Sequence, residues 1–198
     1  MEKGGLTEAL GAAGLTGERC VGFFDEMRLG LHGAMRRVWG RRGVKVRRRV
    51  QVTYQWQYLV VAVDGRHGRL WWTWNGTMRA DDLIPVVRGL RETTPVDALV
   101  WDGAPSHRDE RLRRIELPLI ALPPYAPELN PAERLFEYLR SRIEGEVYAT
   151  LADKVAAVEA ILWELDADPV RVRRLTGWAW IEAALTALPA TTPEAIAA

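Results

Sequence analysis

Three acidic residues occupy positions from which their carboxylates can reach a shared cleft. Asp25 follows a short apolar run, Cys20 to Phe24, which predicts a first buried strand that ends at this aspartate. Asp102 ends a second buried run, Ala98 to Trp101, and Glu133 falls in the first turn of a predicted helix. Because ligands of open α/β sheets bind beyond the carboxyl ends of strands, the three acids are candidates for one site.

The chemistry of such a cluster follows from its charge. Three neighbouring carboxylates repel one another and raise each other's pKa values, and bound divalent cations remove that repulsion. Hard oxygen ligands suit Mg²⁺ or Mn²⁺. Two such ions about 3.5–4 Å apart stabilise both the attacking and the leaving oxygen of an in-line displacement at phosphorus. The acids therefore predict a two-ion site for phosphoryl transfer.

Each acid also has an ordinary structural interpretation. Asp25 can cap the segment that follows it, and Asp102, which precedes Gly103, can belong to a turn. Glu133 lies three residues after Asn130, where the glutamate of a capping box sits. Taken singly, these structural interpretations are the better ones. Taken together on the order of elements described below, the acids favour a shared site.

Two further polar residues are candidate accessory residues of that site. His107 follows Asp102 closely, and it either contacts DNA or metal-bound water or makes a structural hydrogen bond. Asn130 precedes Pro131, and an N-cap residue followed by proline is a strong signal for the start of a helix.

The elements that must position these residues alternate between strands and helices. An opening hairpin favours antiparallel pairing, and the later strand–helix–strand order favours parallel pairing. The sequence therefore predicts an α/β fold with a mixed sheet flanked by helices. After the first strand we expect strands over Val50–Val63, Leu70–Trp74, Ala98–Trp101 and Leu117–Leu122. We expect helices over Ala80–Arg91, Ser106–Ile115 (capped by Ser106), Asn130–Ile143, Val170–Leu175 and Trp178–Leu185. A further helix is expected to begin at a capping box of Thr150 and Asp153 and to end at about Leu165.

An arginine-rich segment without acidic residues lies between the first two predicted strands. A block of this density indicates an anionic partner, commonly nucleic acid, although a solvated loop that keeps the protein soluble is an equal alternative from the block alone. A tryptophan within it can stack on a base. The candidate DNA-binding residues are Arg36, Arg37, Trp39, Arg41, Arg42, Lys45, Arg47, Arg48 and Arg49. By contrast, Trp71, Trp72 and Trp74 lie in a predicted strand and are expected to pack against the sheet.

Composition narrows the class of protein. The 198 residues carry a net charge of +1, and 48% of them are hydrophobic, which is ordinary for a globular domain. One cysteine, Cys20, gives no disulfide framework and no thiolate cluster, and we expect it to be a small core residue. No apolar run reaches the roughly 18 residues of a membrane helix, and the start of the chain lacks a secretory signal. We expect a cytoplasmic protein without a membrane partner.

Several motifs together carry a family resemblance over about residues 20 to 165. The chain resembles the catalytic domain of mariner-type bacterial insertion-sequence transposases, which are DDE superfamily endonucleases. The proline-rich loop that leads to Glu133 is the most specific of these motifs. The matching segments are Phe23–Glu26, Trp39–Gly43, Asn75–Thr77, Trp101–His107 and Leu122–Glu133.

The resemblance implies a function and a mechanism. It implies an RNase H-like, integrase-like fold and a DDE triad of Asp25, Asp102 and Glu133. It also implies two Mg²⁺ (or Mn²⁺) ions, one shared by the two aspartates and one that Glu133 helps to hold. The implied reactions on double-stranded DNA are hydrolysis at transposon ends and attack of the freed 3′-OH on target DNA, commonly at a TA step. Family members commonly act as dimers.

The chain departs from the family pattern in two respects. About twenty residues precede Asp25, too few for the helix-turn-helix domain of complete members, so an upstream reading frame joined by frameshifting is an expected partner. The spacing from Asp102 to Glu133 is slightly short. We expect residues 1–18 to be a leader or linker remnant, 19–165 the catalytic domain and 166–198 a helical extension. A catalytically idle fragment that binds DNA or multimerises, and a stand-alone RNase H-like nuclease, are the alternatives.

Overall fold

A five-stranded mixed β-sheet forms the centre of the computed structural model, with helices on both of its faces. The structure describes residues 5–31, 39–45, 47, 51–124 and 126–190. The strands are β1 (Val21–Gly30), β2 (Trp56–Asp64), β3 (Arg69–Asn75), β4 (Ala98–Trp101) and β5 (Leu119–Ala121). The helices are α1 (Gly5–Ala12), α2 (Ala80–Thr93), α3 (Glu110–Arg113), α4 (Pro131–Ile143), α5 (Leu151–Asp166), α6 (Pro169–Thr176) and α7 (Ala179–Thr186), and 3-10 turns cover Pro105–Arg108 and Pro127–Leu129.

The sheet has the strand order β3-β2-β1-β4-β5. The first three strands form an antiparallel meander, whereas β4 pairs in parallel with β1 and β5 pairs in parallel with β4. Parallel neighbours need a crossover, and α2 supplies it between β3 and β4. The predicted mixed sheet with helices on both faces is confirmed.

Alternation along β1 divides the protein into two cores. Phe23 belongs to the core on which α1 and α4–α7 pack, and Phe24 belongs to the core covered by α2 and α3. Successive side chains of a strand point to opposite faces, so Asp25 lies on the face of Phe23 and Glu26 on the face of Phe24. Two adjacent acids thus point to opposite sides of the sheet.

The first strand is longer than predicted, and the prediction that it ends at Asp25 is wrong. Only Val21–Phe23 pair with β4, whereas the ladder with β2 continues from Phe23 to Gly30. Met27 and Leu29 continue the alternating burial of a strand. A continuous apolar run does not reveal this second half, because charged residues occupy the alternate positions.

The predicted helix over Ser106–Ile115 is also wrong. The 3-10 turn Pro105–Arg108 and the short α3 replace it, and the cap of α3 is Asp109, whose side chain accepts from the backbone N–H of Arg111. Asp109 has an extended backbone conformation, which interrupts the helical segment. Two predicted strands are shorter than expected, because β2 begins at Trp56 and β5 covers only the centre of its predicted range.

The predicted leader contains α1, which packs into the core. Leu6 and Leu10 are buried, and the hydroxyl of Thr7 donates to the carbonyl of Ala184 at 3.0 Å. The same hydrophobic core includes Leu185 of α7, so the segments predicted as leader, catalytic domain and extension share one core. Residues 1–4 and 191–198 lie outside the described residues.

The predicted caps of the two long C-terminal helices are confirmed. The side chain of Asn130 accepts from the N–H of Ala132 at the start of α4. Thr150 and Asp153 form a reciprocal capping box at the start of α5. None of the helices in the described part of the chain is long and apolar enough to cross a membrane.

Candidate active site

Asp25 lies where β1 and β4 part. Parallel pairing between the strands ends at Phe23 and Val100, and Asp25 is the second residue beyond it. Its Oδ1 accepts from the N–H of Glu26 at 2.8 Å, so the carboxylate is held against its own strand. The two strands therefore separate beside Asp25, near the carboxyl end of β4.

Asn130 connects this strand to the start of α4. Its Nδ2 donates to the carbonyl oxygen of Phe24 at 3.1 Å and to Oδ2 of Asp25 at 3.2 Å, while its Oδ1 caps the helix. The side chain is buried, with 2% of the residue exposed. One amide therefore fixes both the helix start and the carboxylate of Asp25.

Asp102 follows the last residue of β4 and is exposed. Its Oδ1 accepts from the N–H of Ala104 at 3.0 Å and from Nδ1 of His107 at 2.8 Å. The hydrogen bond from His107 is the main reason that the pKa of Asp102 is lowered. The turn interpretation of Asp102 is thus correct, and both of these donors contact Oδ1.

Glu133 occupies the first turn of α4 and is partly exposed. One carboxylate oxygen lies 3.7 Å from Nη1 of Arg140, two helical turns further along. Asn130 supplies the helix cap, and the side chain of Glu133 makes no capping-box bond to it. Glu133 is therefore available at the mouth of the cleft.

The charges of the other acids act on Asp25. The pKa of Asp25 is raised from 3.8 to about 7, mainly by burial; the charges of Glu26, Glu133 and Asp102 contribute to the rise, and the hydrogen bond from the Glu26 N–H opposes it. A carboxyl with such a pKa is a candidate for a functional site. Divalent cations are the natural counter-charge for such a group of hard oxygen ligands.

The three acids do not form a compact ligand group in the described structure. Within the described residues, the ligand atoms that all lie within 4.8 Å of one another belong to Cys20, Asp64 and His67, near the start of β1 and away from the three acids.

The Cys20 cluster is hydrogen-bonded within itself. Oδ2 of Asp64 accepts from Sγ of Cys20 at 3.0 Å and lies 2.5 Å from Nδ1 of His67, while Oδ1 accepts from the backbone of Arg66 and His67. Burial is the main cause that raises the pKa of the Cys20 thiol to about 12. Cys20 is thus the buried core residue that the sequence predicts, one residue before β1.

The basic segment leaves the sheet at the end of β1. Trp39, Arg41, Arg42, Lys45 and Arg47 are exposed, and Trp39 is fully so. Arg36, Arg37, Arg48 and Arg49 lie outside the described residues. Gly30 lies five residues beyond Asp25, about 17 Å along a strand, so the end of β1 is well separated from Asp25.

A groove away from the three acids lies between α2, β3 and α5. It has a volume of about 840 Å³, and none of the three acids lines it. The tryptophans of β3 pack against the two faces of the sheet, as predicted, and the ring of Trp72 meets that of Trp163 edge-on at 4.7 Å.

Comparison with known sequences identifies the family. Residues 21–154, about two thirds of the chain, match the sequence profile of a family described as DDE superfamily endonuclease. The chain belongs to this family. The DDE endonuclease class that the motifs predict is therefore confirmed, and no curated protein matches the sequence.

Solved structures support the same fold. The Mos1 strand transfer complex superposes with a TM-score of 0.64 at 16% identity, over 93% of this chain and 59% of that one. The mariner Mos1 paired end complex with Mg gives a TM-score of 0.63 at 15% identity, over 96% of this chain and 62% of that one. The predicted RNase H-like fold is thus confirmed. The DDE endonuclease chain spans about three fifths of the length of these Mos1 chains.

One residue of this region was missed by sequence reasoning. Glu26 is buried, with 2% of its side chain exposed, and its Oε1 lies 3.1 Å from Nε2 of His107. Its position in the strand could have predicted its burial, because Glu26 lies on the same face as the core residue Phe24. The predicted strand ends one residue earlier, so this pattern does not reach Glu26.

Proposed function

We propose that this chain is the catalytic domain of a DNA transposase and that Asp25, Asp102 and Glu133 are its catalytic residues. The observation that carries the proposal is the electrostatic coupling of the three acids. The charges of Glu133 and Asp102 both act on the buried Asp25, although 31 and more residues of sequence separate the acids. The family match over residues 21–154 supports an endonuclease, and the Mos1 likeness supports the transposase class.

Divalent cations would be held by these carboxylates. The donor set consists of hard oxygens with excess negative charge, which fits Mg²⁺ or Mn²⁺, and Mos1 structures include paired end complexes with Mg and with Mn. We assign one ion to Asp25 and Asp102 and a second to Asp25 and Glu133. When bound, the ions would stabilise the charge of the attacking and leaving oxygens.

The reaction consists of two displacements at phosphorus. In the first, a water oxygen bonds to the phosphorus at a transposon end, the P–O3′ bond breaks, the water loses a proton, and the released 3′ oxygen gains one. In the second, that 3′-OH attacks a target phosphodiester, and the target's own 3′ oxygen leaves with a proton. No covalent bond to the protein is needed, and Asn130 keeps the Asp25 carboxylate in place throughout.

DNA would be bound by the exposed basic segment. Its described basic residues, Arg41, Arg42, Lys45 and Arg47, are exposed and follow β1 in the chain, and their charge suits contacts to DNA phosphates. We further propose a homodimer in the synaptic complex and recognition of the transposon ends by an upstream helix-turn-helix segment joined by frameshifting.

A nicking assay tests the proposal. Supercoiled plasmid with the flanking inverted repeats is incubated with Mn²⁺ and native chain, with Glu133→Gln, or with Glu137→Gln, which changes an exposed glutamate one turn further along α4. We expect native and Glu137→Gln to nick and Glu133→Gln to lose at least a hundredfold in rate. Each chain is also assayed after fusion to the upstream reading frame.

The other functions predict different results. Cleavage of RNA–DNA hybrid in preference to repeat DNA would favour a stand-alone RNase H-like nuclease. DNA binding without cleavage in both forms, with unchanged Mn²⁺ binding in Glu133→Gln, would favour an idle DNA-binding fragment and overturn the assignment of the triad.

A further inference from the structure

A chain of three side chains links the two aspartate-bearing strands behind the cleft. Nε2 of His107 lies 3.1 Å from Oε1 of Glu26, and Nδ1 of the same ring lies 2.8 Å from Oδ1 of Asp102. Glu26 belongs to β1, and Asp102 ends β4. The chain of contacts forms where the β1–β4 ladder has already ended, at Phe23 and Val100.

The middle of this chain of contacts is enclosed. The side chains of His107 and Glu26 are each 2% exposed, whereas that of Asp102 is 56% exposed. The imidazole stacks on the indole of Trp101 with centroids 4.3 Å apart and an interplanar angle of 3°, and the ring of Phe24 meets it edge-on. Packing therefore fixes the ring plane, and only the carboxylate end reaches the cleft.

Burying both groups needs a reason. A buried carboxylate and a buried imidazole are costly unless each is paired and hydrogen-bonded. Each ring nitrogen of His107 has an oxygen partner, because Nε2 faces Oε1 of Glu26 and Nδ1 faces Oδ1 and the backbone carbonyl oxygen of Asp102.

We propose that Glu26 and His107 are positioning residues that fix the carboxylate of Asp102 so that its Oδ2 faces the cleft. This inference rests on the proposed function of Asp102 as a metal ligand. An exposed aspartate at a strand end can rotate its side chain, and here the N–H of Ala104 and Nδ1 of His107 both contact the same oxygen, Oδ1. Nδ1 also lies 3.1 Å from the backbone carbonyl oxygen of Asp102, so the ring is held to both parts of the residue. Partners that orient a ligand in this way typically change metal affinity 10- to 100-fold when they are removed.

Glu26 has the more distant role in this arrangement. It does not reach Asp102 itself, because the ring of His107 lies between them. Its carboxylate holds the imidazole in the orientation that directs Nδ1 to Asp102. Because it follows Asp25 directly in β1, any shift of that strand moves both aspartates together.

Metal binding measured without DNA tests the inference. Mn²⁺ affinity is determined by calorimetry for the native chain, Asp102→Asn, His107→Phe and Glu26→Gln. His107→Phe keeps an aromatic ring for Trp101 to stack on and removes both donors, and Glu26→Gln keeps an acceptor and removes the charge. We expect the affinity to fall roughly 10- to 100-fold in His107→Phe and less in Glu26→Gln.

The outcomes separate the two proposals. If Asp102→Asn weakens Mn²⁺ binding and neither positioning variant does so in a folded protein, the positioning role is overturned and the triad stands. If Asp102→Asn also leaves Mn²⁺ affinity unchanged, the role of Asp102 as a ligand fails, and the positioning role fails with it. Should His107→Phe not fold, Glu26→Gln decides by the same comparison.

Discussion

The amide of Asn130 donates to the carboxylate of Asp25 at 3.2 Å, across 105 residues of sequence. The same side chain caps α4 through its other atom, Oδ1. Asn130, which the sequence motif identifies as a helix cap, therefore also holds the carboxylate of Asp25 in β1. The two roles depend on different atoms and can be separated by substitution.

Replacing Asn130 by serine should separate capping from anchoring. Serine is a good N-cap but is too short to reach Asp25, so Asn130→Ser should retain most of the stability and lose at least tenfold in nicking rate. Asn130→Ala loses the cap as well, and we expect a further cost of about 1 kcal/mol in the free energy of unfolding. Urea titration and the nicking assay measure the two effects. Equal stability of the two variants would contradict the capping role.

The stability of the metal-free chain should depend on pH through Asp25. The folded pKa of about 7 lies above the ordinary 3.8, so the folded chain binds more protons between these values. The Asp25 contribution to stability is full below pH 4 and is lost as the pH rises to 7. Asp25→Asn removes this loss. We expect its free energy of unfolding to exceed that of the native chain by about 2–4 kcal/mol at pH 8 and by little at pH 4.

Unfolding in EDTA at both pH values measures this difference. Asp166→Asn, a change at an exposed carboxylate at the end of α5, is the matched control and should follow the native curve. Adding Mn²⁺ at pH 8 should stabilise the native chain more than Asp25→Asn, because only the native chain has the full ligand set. If the difference in unfolding free energy between the native chain and Asp25→Asn were the same at pH 4 and pH 8, the raised pKa of Asp25 would be refuted.

The salt dependence of DNA binding should report on the basic segment. Each phosphate contact contributes about 0.9 to the slope of log affinity against log salt, so Arg41→Ala with Arg42→Ala should lower that slope by about 2. Arg173→Ala with Arg174→Ala removes the same charge from α6, near the β2–β3 turn, and serves as the control. Equal slopes for the two double variants would show that Arg41 and Arg42 do not contact DNA phosphates. The same test with Arg47, Arg48 and Arg49 replaced by alanine should also flatten the slope.

The buried Asp64 should matter for stability and not for chemistry. It is 1% exposed and accepts hydrogen bonds from Cys20, His67 and the backbone of its own turn. Asp64→Ala leaves several buried donors without a partner, and we expect a loss of about 2–4 kcal/mol in thermal or urea unfolding. Cys20→Ala removes one contact and should cost about 1 kcal/mol. A nicking rate per folded molecule that falls with Asp64→Ala would indicate a role beyond folding.

The sequence predicted the elements whose signals are local. The caps at Asn130 and Thr150 are encoded within a few residues of each helix start, and both helices begin where these caps predict. Ala98–Trp101 is a strand with the predicted bounds because a fully buried parallel strand is a continuous apolar run. The three acids were predicted as one site because strand ends and helix starts meet at one edge of such a sheet.

The features that the sequence did not predict depend on contacts between distant segments. The second half of β1 is a strand because β2 pairs with it, and no local sequence pattern predicts that pairing. The hydrogen bonds of Glu26 with His107 and of Asn130 with Asp25 join segments 81 and 105 residues apart. The prediction of a helix that begins at Ser106 was wrong for a local reason. Ser106 and Asp109 are both suitable N-cap residues, and the helix begins after Asp109.

The parallel pairing of β4 with β1 has a consequence for synthesis on the ribosome. The meander of β1, β2 and β3 is local and can form early, but β4 must add to the far edge of β1, and Glu133 comes later still. A nascent chain therefore has no complete set of the three acids until α4 has emerged and its first turn has docked through Asn130. If the acids act as proposed, an unfinished polypeptide lacks its active site because of the order in which the chain is made.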